Sequence, residues 1–237
     1  MMPPPGLATG LDHAGVAVRD LDAAAAEWQA LGFQVTPTAP HLPAGITGNR
    51  CVMFGQGYIE LIAMLGGHSA TLAGFLARHE GIHIVSLATD DAEAAATRLA
   101  QPLIRSERET PGGTAKFARI VLTEPVPRIQ IIEHLTPSLV WQPAQTRHAN
   151  GATTLAAIII HAETPAIPAA ALSRAAGVPV VPDPEGGYAL RLPHGQIRIL
   201  PNGPPIPHVT GIELHSADPA MAGQTLTATG VTIRFVA

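Results

Sequence analysis

The chain has 237 residues, enough for one large domain or two ordinary ones, and its 46% hydrophobic against 14% charged content excludes disorder of the whole chain. A formal net charge of −4 gives no electrostatic basis for nucleic acid or an anionic membrane surface as partner, and no apolar run approaches the roughly 20 residues of a bilayer span. One cysteine, Cys51, excludes an intrachain disulfide and a thiolate cluster, and the proline-rich, uncharged Met1–Gly6 has no secretory-signal pattern, so a cytoplasmic globular protein is expected.

Residues 11–18 alternate as a strand, with Leu11, His13, Gly15 and Ala17 on one face. Asp20 caps a helix that runs to about Leu31: Ala23 to Ala26 are strong helix formers, and Asp22 puts a negative charge in the first turn. Gly32 ends that helix, and residues 33–36 are expected to form a short strand. A loop rich in proline and glycine covers 37–49, followed by strands at 50–54 and 58–64 joined by a tight turn through Gly55, Gln56 and Gly57. The resulting order is βαβββ.

That order recurs. The second copy has a strand at 81–88, a helix at 91–100, and strands at 103–107, 116–122 and 128–134. After a linker at 136–152, a third copy has a strand at 155–162, a helix at 168–176, and strands at 178–181, 188–192 and 196–200. A fourth begins at 209–215, passes through a short helix near 219–224, and closes with a strand at 231–236, two strands short of the full unit. Repeats that cannot close a core alone must pair, so the economical reading is two halves of two copies each. The expected fold is therefore α+β, with paired βαβββ modules curving into a cup. Its halves would be 7–135 and 153–237, joined by 136–152.

Four polar residues share the period. Glu60 follows His13 by 60 − 13 = 47 positions, and Gln130 follows His83 by 130 − 83 = 47 positions. Each His opens a first strand and each partner lies in a last strand, so duplication can converge four metal-type ligands on one point. At the equivalent places the third copy has Ile158 and Arg198, and the fourth has Gly211 at the first-strand place, so the ligand types are confined to the first half. Glu60, an acid inside an apolar strand, needs a partner or a shifted pKa. His134 shares the strand parity of Gln130 and is expected to line a pocket, and His41 and Asn49 flank the loop above the first module. Glu133 has the opposite parity. His148 and Asn150 are read as part of a turn in the linker, His68 and His79 as surface residues, Trp28 and Cys51 as core.

The run Leu11-Asp12-His13-Ala14-Gly15-Val16-Ala17-Val18-Arg19-Asp20-Leu21, then Leu31-Gly32-Phe33, then Tyr58-Ile59-Glu60-Leu61-Ile62, resembles the vicinal oxygen chelate superfamily, which includes glyoxalase I, extradiol dioxygenases and fosfomycin-resistance proteins. Its narrower similarity is to glyoxalase-like domain proteins. The stretch His41-Leu42-Pro43-Ala44-Gly45-Ile46-Thr47-Gly48-Asn49, the segment His134-Leu135-Thr136-Pro137 and the segment His148-Ala149-Asn150-Gly151 carry it. The resemblance implies curved sheets around a divalent metal (Zn, Ni, Mn or Fe) held by His13, Glu60, His83 and Gln130, with Glu60 also able to act as the catalytic base. Gln130 departs from the Glu of bacterial-type glyoxalase I, because an amide can ligate but cannot act as a base. The implied protein is a metal-dependent enzyme on a small oxygenated molecule, with isomerase or lyase chemistry ahead of ring-cleaving dioxygenase chemistry. Two readings stay open beside it: a metal-free cup that sequesters a small molecule, and a duplicated scaffold that mediates a homodimer.

Overall fold

A computed structural model describes residues 7–41, 45–110, 112–122 and 127–237. Met1–Gly6, Leu42, Pro43 and Ala44 of the loop above the first module, and Pro111 lie outside the described residues.

The first half builds one eight-stranded sheet. Its elements are β1 (Gly10–Ala17), α1 (Leu21–Ala30), β2 (Ala39–Pro40), β3 (Thr47–Met53), β4 (Tyr58–Met64), α2 (Ala70–Leu76), β5 (Gly81–Ala88), α3 (Ala92–Leu99), β6 (Ile104–Thr110), β7 (Gly113–Leu122) and β8 (Arg128–His134). The sheet order is β2-β3-β4-β1-β5-β8-β7-β6. The first strands of the two modules, β1 and β5, pair antiparallel at its centre. Each is flanked by the last strand of its own module in parallel, β1 by β4 and β5 by β8. That arrangement brings both first and both last strands to the middle of one curved sheet.

The second half repeats the plan. It contains β9 (Ala152–His161), α4 (Ala166–Ala176), β10 (Val180–Pro182), β11 (Tyr188–Arg191), β12 (Gln196–Leu200), β13 (His208–Ser216), β14 (Thr225–Ala228) and β15 (Val231–Val236). Its sheet order is β10-β11-β12-β9-β13-β15-β14. β13 pairs parallel with β15, so the fourth copy does have a last strand and lacks one strand rather than two. The missed strand, β14, is four residues of threonine, leucine and alanine with little periodic signal.

Local chemistry explains the helices. The Asp20 carboxylate accepts from the backbone N–H groups of Asp22 and Ala23, and Asp91 does the same for Ala94. Ser69 caps α2, a helix the sequence reading left as connection. Residues 33–36 form no strand. Their backbone is held otherwise: the Gln34 N–H donates to the His148 ring, the Thr36 N–H donates to the Cys51 carbonyl, and Phe33 is buried in the core.

The two sheets share a core. Trp28 of α1 is fully buried, and its indole N–H donates to Thr229 Oγ1 at 3.0 Å, a contact across the whole chain. Phe33 packs on Phe54 and Phe235. The segment between the halves is pinned rather than loose. His148 uses both ring nitrogens, one accepting from Gln34 and the other donating to the Met53 carbonyl at 2.8 Å. Asn150 donates to the Leu31 carbonyl and accepts from the Ala152 N–H. No helix among the described residues is long and apolar enough to cross a membrane.

Candidate active site

Strand alternation sorts the first sheet into two faces. Ile59, Leu61, Ile129 and Ile131 point into the shared core and are fully buried. The opposite face carries Tyr58, Glu60 and Ile62 from β4, Arg128, Gln130 and Ile132 from β8, and Phe117 and Arg119 from β7. These residues, with His13 and His83 from the central strands, line a cavity of about 330 Å³. His41 and Asn49 complete its rim.

Glu60 is the centre of this face. Its Oε1 accepts from Asn49 Nδ2 at 2.6 Å and stands 3.3 Å from His41 Nε2. Its Oε2 faces His13 Nε2 at 3.5 Å. Burial pushes the carboxyl upward, but the bonds from His41 and Asn49 and the field of the two imidazoles outweigh it. Glu60 is therefore held well below the usual carboxylate range and is ionised.

His13 is oriented from behind. Its Nδ1 lies 2.6 Å from Asp12 Oδ1, which leaves Nε2 directed at Glu60, and its ring stacks on Tyr58 at 4.5 Å between centroids. Asp12 is buried, and its other oxygen lies 2.8 Å from His134 Nε2. Desolvation raises the Asp12 carboxyl, but the charges and hydrogen bonds of His134 and His13 prevail and hold it well below its ordinary value. His134 consequently sits behind the cavity, among Tyr58, Phe117 and Trp141, rather than in its wall.

His83 approaches from β5. Its Nε2 is buried and has no hydrogen-bond partner among the described residues. Burial pushes its pKa down to about 4, with Glu60 opposing and Arg128 and His13 reinforcing, so the ring is neutral at pH 7. Gly15 lies under this meeting point. A Cβ there would stand 3.4 Å from His83 Nε2 and 3.6 Å from Glu60 Oε2, and only 2.5 Å from Ile84 Cγ2. Glycine here lets Ile84, His83 Nε2 and Glu60 Oε2 all come close over the β1 backbone.

Gln130 behaves differently from its module-one counterpart. Its Oε1 accepts from Arg119 Nη1 at 3.0 Å and its Nε2 donates to Ser86 Oγ at 3.0 Å. Its amide oxygen is thus held by a cation. The donor chemistry of His13, Glu60 and His83, two imidazoles and a carboxylate, fits a divalent ion; the Gln130 amide oxygen, also of ligating type, is engaged by Arg119 in this arrangement. As the side chains stand, no three His, Cys, Asp or Glu residues among the described ones are grouped tightly enough to hold an ion.

Cys51 is buried, with its thiol pushed up to about 11 chiefly by desolvation, which disfavours the nucleophilic thiolate. Sequence reasoning passed over Asp12, Arg108, Arg119 and Arg128. A buried acid beside a strand histidine, and arginines sharing the parity of Phe117 and Gln130, were the signals that could have found them.

A model of the glyoxalase-like domain family matches residues 11–176. Among solved structures, the chain is similar to a hypothetical protein from Staphylococcus aureus, with a TM-score of 0.77 at 15% identity over 95% of this chain and 98% of that one. It is similar to a variant of 4-hydroxymandelate synthase from Streptomyces coelicolor, with a TM-score of 0.63 at 17% identity over 92% and 72%. A third structure is a xylose isomerase-like TIM barrel/4-hydroxyphenylpyruvate dioxygenase fusion protein, with a TM-score of 0.59 at 14% identity over 92% and 38%. No curated protein matches the chain.

Proposed function

The chain belongs to the glyoxalase-like domain family, within the vicinal oxygen chelate superfamily, and on that premise we propose that it is a divalent-metal-dependent enzyme acting on a small oxygenated molecule. His13, Glu60 and His83 would hold the metal. The observation that carries this reading is the buried His83 Nε2, which has no hydrogen-bond partner among the described residues and which, like Glu60 Oε2, approaches the Gly15 backbone. A buried polar atom without a partner costs about 1–3 kcal/mol, which a ligand or ion would relieve.

The protein groups favour oxygenase-type chemistry over isomerisation. An isomerase or lyase needs a general base, and Glu60, held down by His41, Asn49 and His13, is a weak one before any metal binds. Gln130 has no basic atom, and His83 is shifted to about 4. Two imidazoles and one carboxylate are the donor set of non-haem iron(II) oxygenases. Bound there, the metal supplies Lewis acidity and, as iron(II), the capacity to use dioxygen. Asp12 fixes the His13 ring, Asn49 and His41 fix Glu60, and Tyr58, Phe117, Ile62, Ile84 and Ile132 shield the reacting end from water. In this reading residues 153–237 are scaffold. Arg198, at the place of Glu60 and Gln130, is spent on Asp183 and Glu213.

Anaerobic loading with iron(II), manganese, nickel or zinc, followed by elemental analysis, tests the proposal. About one ion per chain is expected for at least one metal, with oxygen uptake on a small aromatic or 2-oxo acid after iron loading. Near-zero metal at saturation supports instead the metal-free binding cup, which is favoured by the full hydrogen bonding of Glu60 Oε1.

Asp12→Asn probes the support behind His13. Losing the carboxylate that orients the ring should weaken metal affinity about 10–100-fold, as outer-shell carboxylates do elsewhere. Competition with a fluorescent chelator measures it. An unchanged affinity in a folded variant would mean that Asp12 serves only packing.

A further inference from the structure

Three arginines line the same cavity: Arg128 on β8, beside the His83 strand, then Arg119 on β7 and Arg108 on β6 farther along the sheet. Among the described residues, the arginine ion pairs involve Arg19, Arg50, Arg105, Arg198 and Arg234 and none of these three. Arg119 donates to the neutral Gln130 amide. Arg108 lies over the Phe117 ring at 5.8 Å, with Asn49 Oδ1 and Cys51 Sγ as its acceptors. Arg128 Nε is buried and has no partner among the described residues.

Burying guanidinium groups without a carboxylate partner is costly. Desolvation works against the charged forms of both Arg119 and Arg128, and the charge of Arg119 works further against Arg128. Glu60 offers the cavity one carboxylate. Glu107 also borders it, but is exposed and stands 4.0 Å from Lys116 Nζ. Among the lining residues three guanidiniums face two carboxylates, Glu60 and the exposed Glu107, and Thr47, Ser69, Thr71 and Ser106 add hydroxyl groups to the same lining. Planar guanidiniums match carboxylate and phosphate oxygens two at a time.

We propose that the substrate is a small organic oxyanion whose carboxylate or phosphate binds Arg119 and Arg128, leaving its reactive oxygens toward His13, Glu60 and His83. This deepens the enzymatic reading and rests on it for the reacting end, whereas anion capture itself needs no metal. A cavity of about 330 Å³ limits the molecule to the small end of the ligand range.

Isothermal titration on the chelator-stripped full chain, at fixed ionic strength, uses inorganic phosphate and pyruvate as separate probes. At least one should bind saturably, and the tighter of the two identifies the anionic group. Arg119→Gln and Arg128→Gln should each weaken that binding by about tenfold or more, the worth of a charge-assisted contact. Arg105→Gln, which removes an exposed arginine outside the cavity, should leave it unchanged. If a Gln variant fails to fold, Arg119→Lys and Arg128→Lys keep the charge and should retain part of the affinity. Absence of binding to wild type, or equal binding by folded Gln variants, overturns the proposal. Because the titration is metal-free, arginine-dependent binding alongside failed metal loading sinks only the metal reading. Metal loading without arginine-dependent binding sinks only this one.

Discussion

Glu60→Gln is expected to weaken divalent-metal binding by a hundredfold or more and to abolish turnover while leaving the protein folded. The substitution keeps volume and shape and replaces a charged oxygen pair by a neutral amide. The Asn49 N–H can still donate to the amide oxygen, so the rim stays in place. What disappears is the one carboxylate of the proposed set, and with it the charge that would balance a divalent ion. A carboxylate held as far down as Glu60 is available to a metal across the whole neutral range, so the loss should not depend on pH between 6 and 8, roughly the range over which an ordinary histidine titrates. Metal titration of the variant, with its melting temperature as the folding control, reads the effect. A folded variant that still loads metal as wild type does would place the ion elsewhere.

The second large effect lies in the other sheet. Arg198 of β12 grips Asp183 with Nε and Nη2, both at 2.8 Å, and reaches Glu213 of β13 with Nη1 at 2.9 Å. Asp183 and Glu213 side chains are 2% and 8% exposed. Arg198→Leu leaves two buried carboxylates with little compensation, since Arg234 stands 3.8 Å from Glu213 and is half exposed. Breaking a buried pair this way typically costs about 3–5 kcal/mol. For a chain of this size that lowers the melting temperature by roughly 10 °C. Adding Asp183→Asn and Glu213→Gln to Arg198→Leu should recover most of the loss, because the penalty comes from stranded charge rather than from the missing arginine. Metal uptake in the first sheet should be untouched. A drop under about 2 °C for the single variant would show the cluster to be well solvated.

The two predictions mark what each sheet has done with one inherited position. In the first half the last strand of module one presents an acid to an open cavity. In the second half the same place holds an arginine that neutralises its neighbours and closes the cup with an ion cluster.

The fold was legible because its signals are local. Apolar runs bounded by turn residues set β4, β5, β8, β12 and β15 at their observed ends, and Asp20 and the Asp90-Asp91 pair located the starts of α1 and α3. Residues 33–36 misled because the backbone of this β-favouring stretch is held at Gln34 by a histidine from 114 positions away, which no window of sequence contains. The cavity is partly legible for a similar reason. His13, Glu60 and His83 stood out through a shared period, and all three do face one cavity. Strand parity alone placed His134 beside them, but Asp12 draws it behind His13. Gln130 matched the period, yet Arg119 occupies its oxygen, and nothing in the spacing of Arg119 announces that contact. Pairing between neighbouring strands, rather than pattern along one strand, decides these cases.

A crystal structure of the iron- or manganese-loaded protein, with anomalous scattering collected at the metal edge, addresses the central idea most directly. The account predicts a single ion bonded to His13 Nε2, the Glu60 carboxylate and His83 Nε2, with Gln130 still on Arg119. An ion bound elsewhere, or saturated crystals in which His83 Nε2 still touches nothing and the cavity holds no peak, would contradict it.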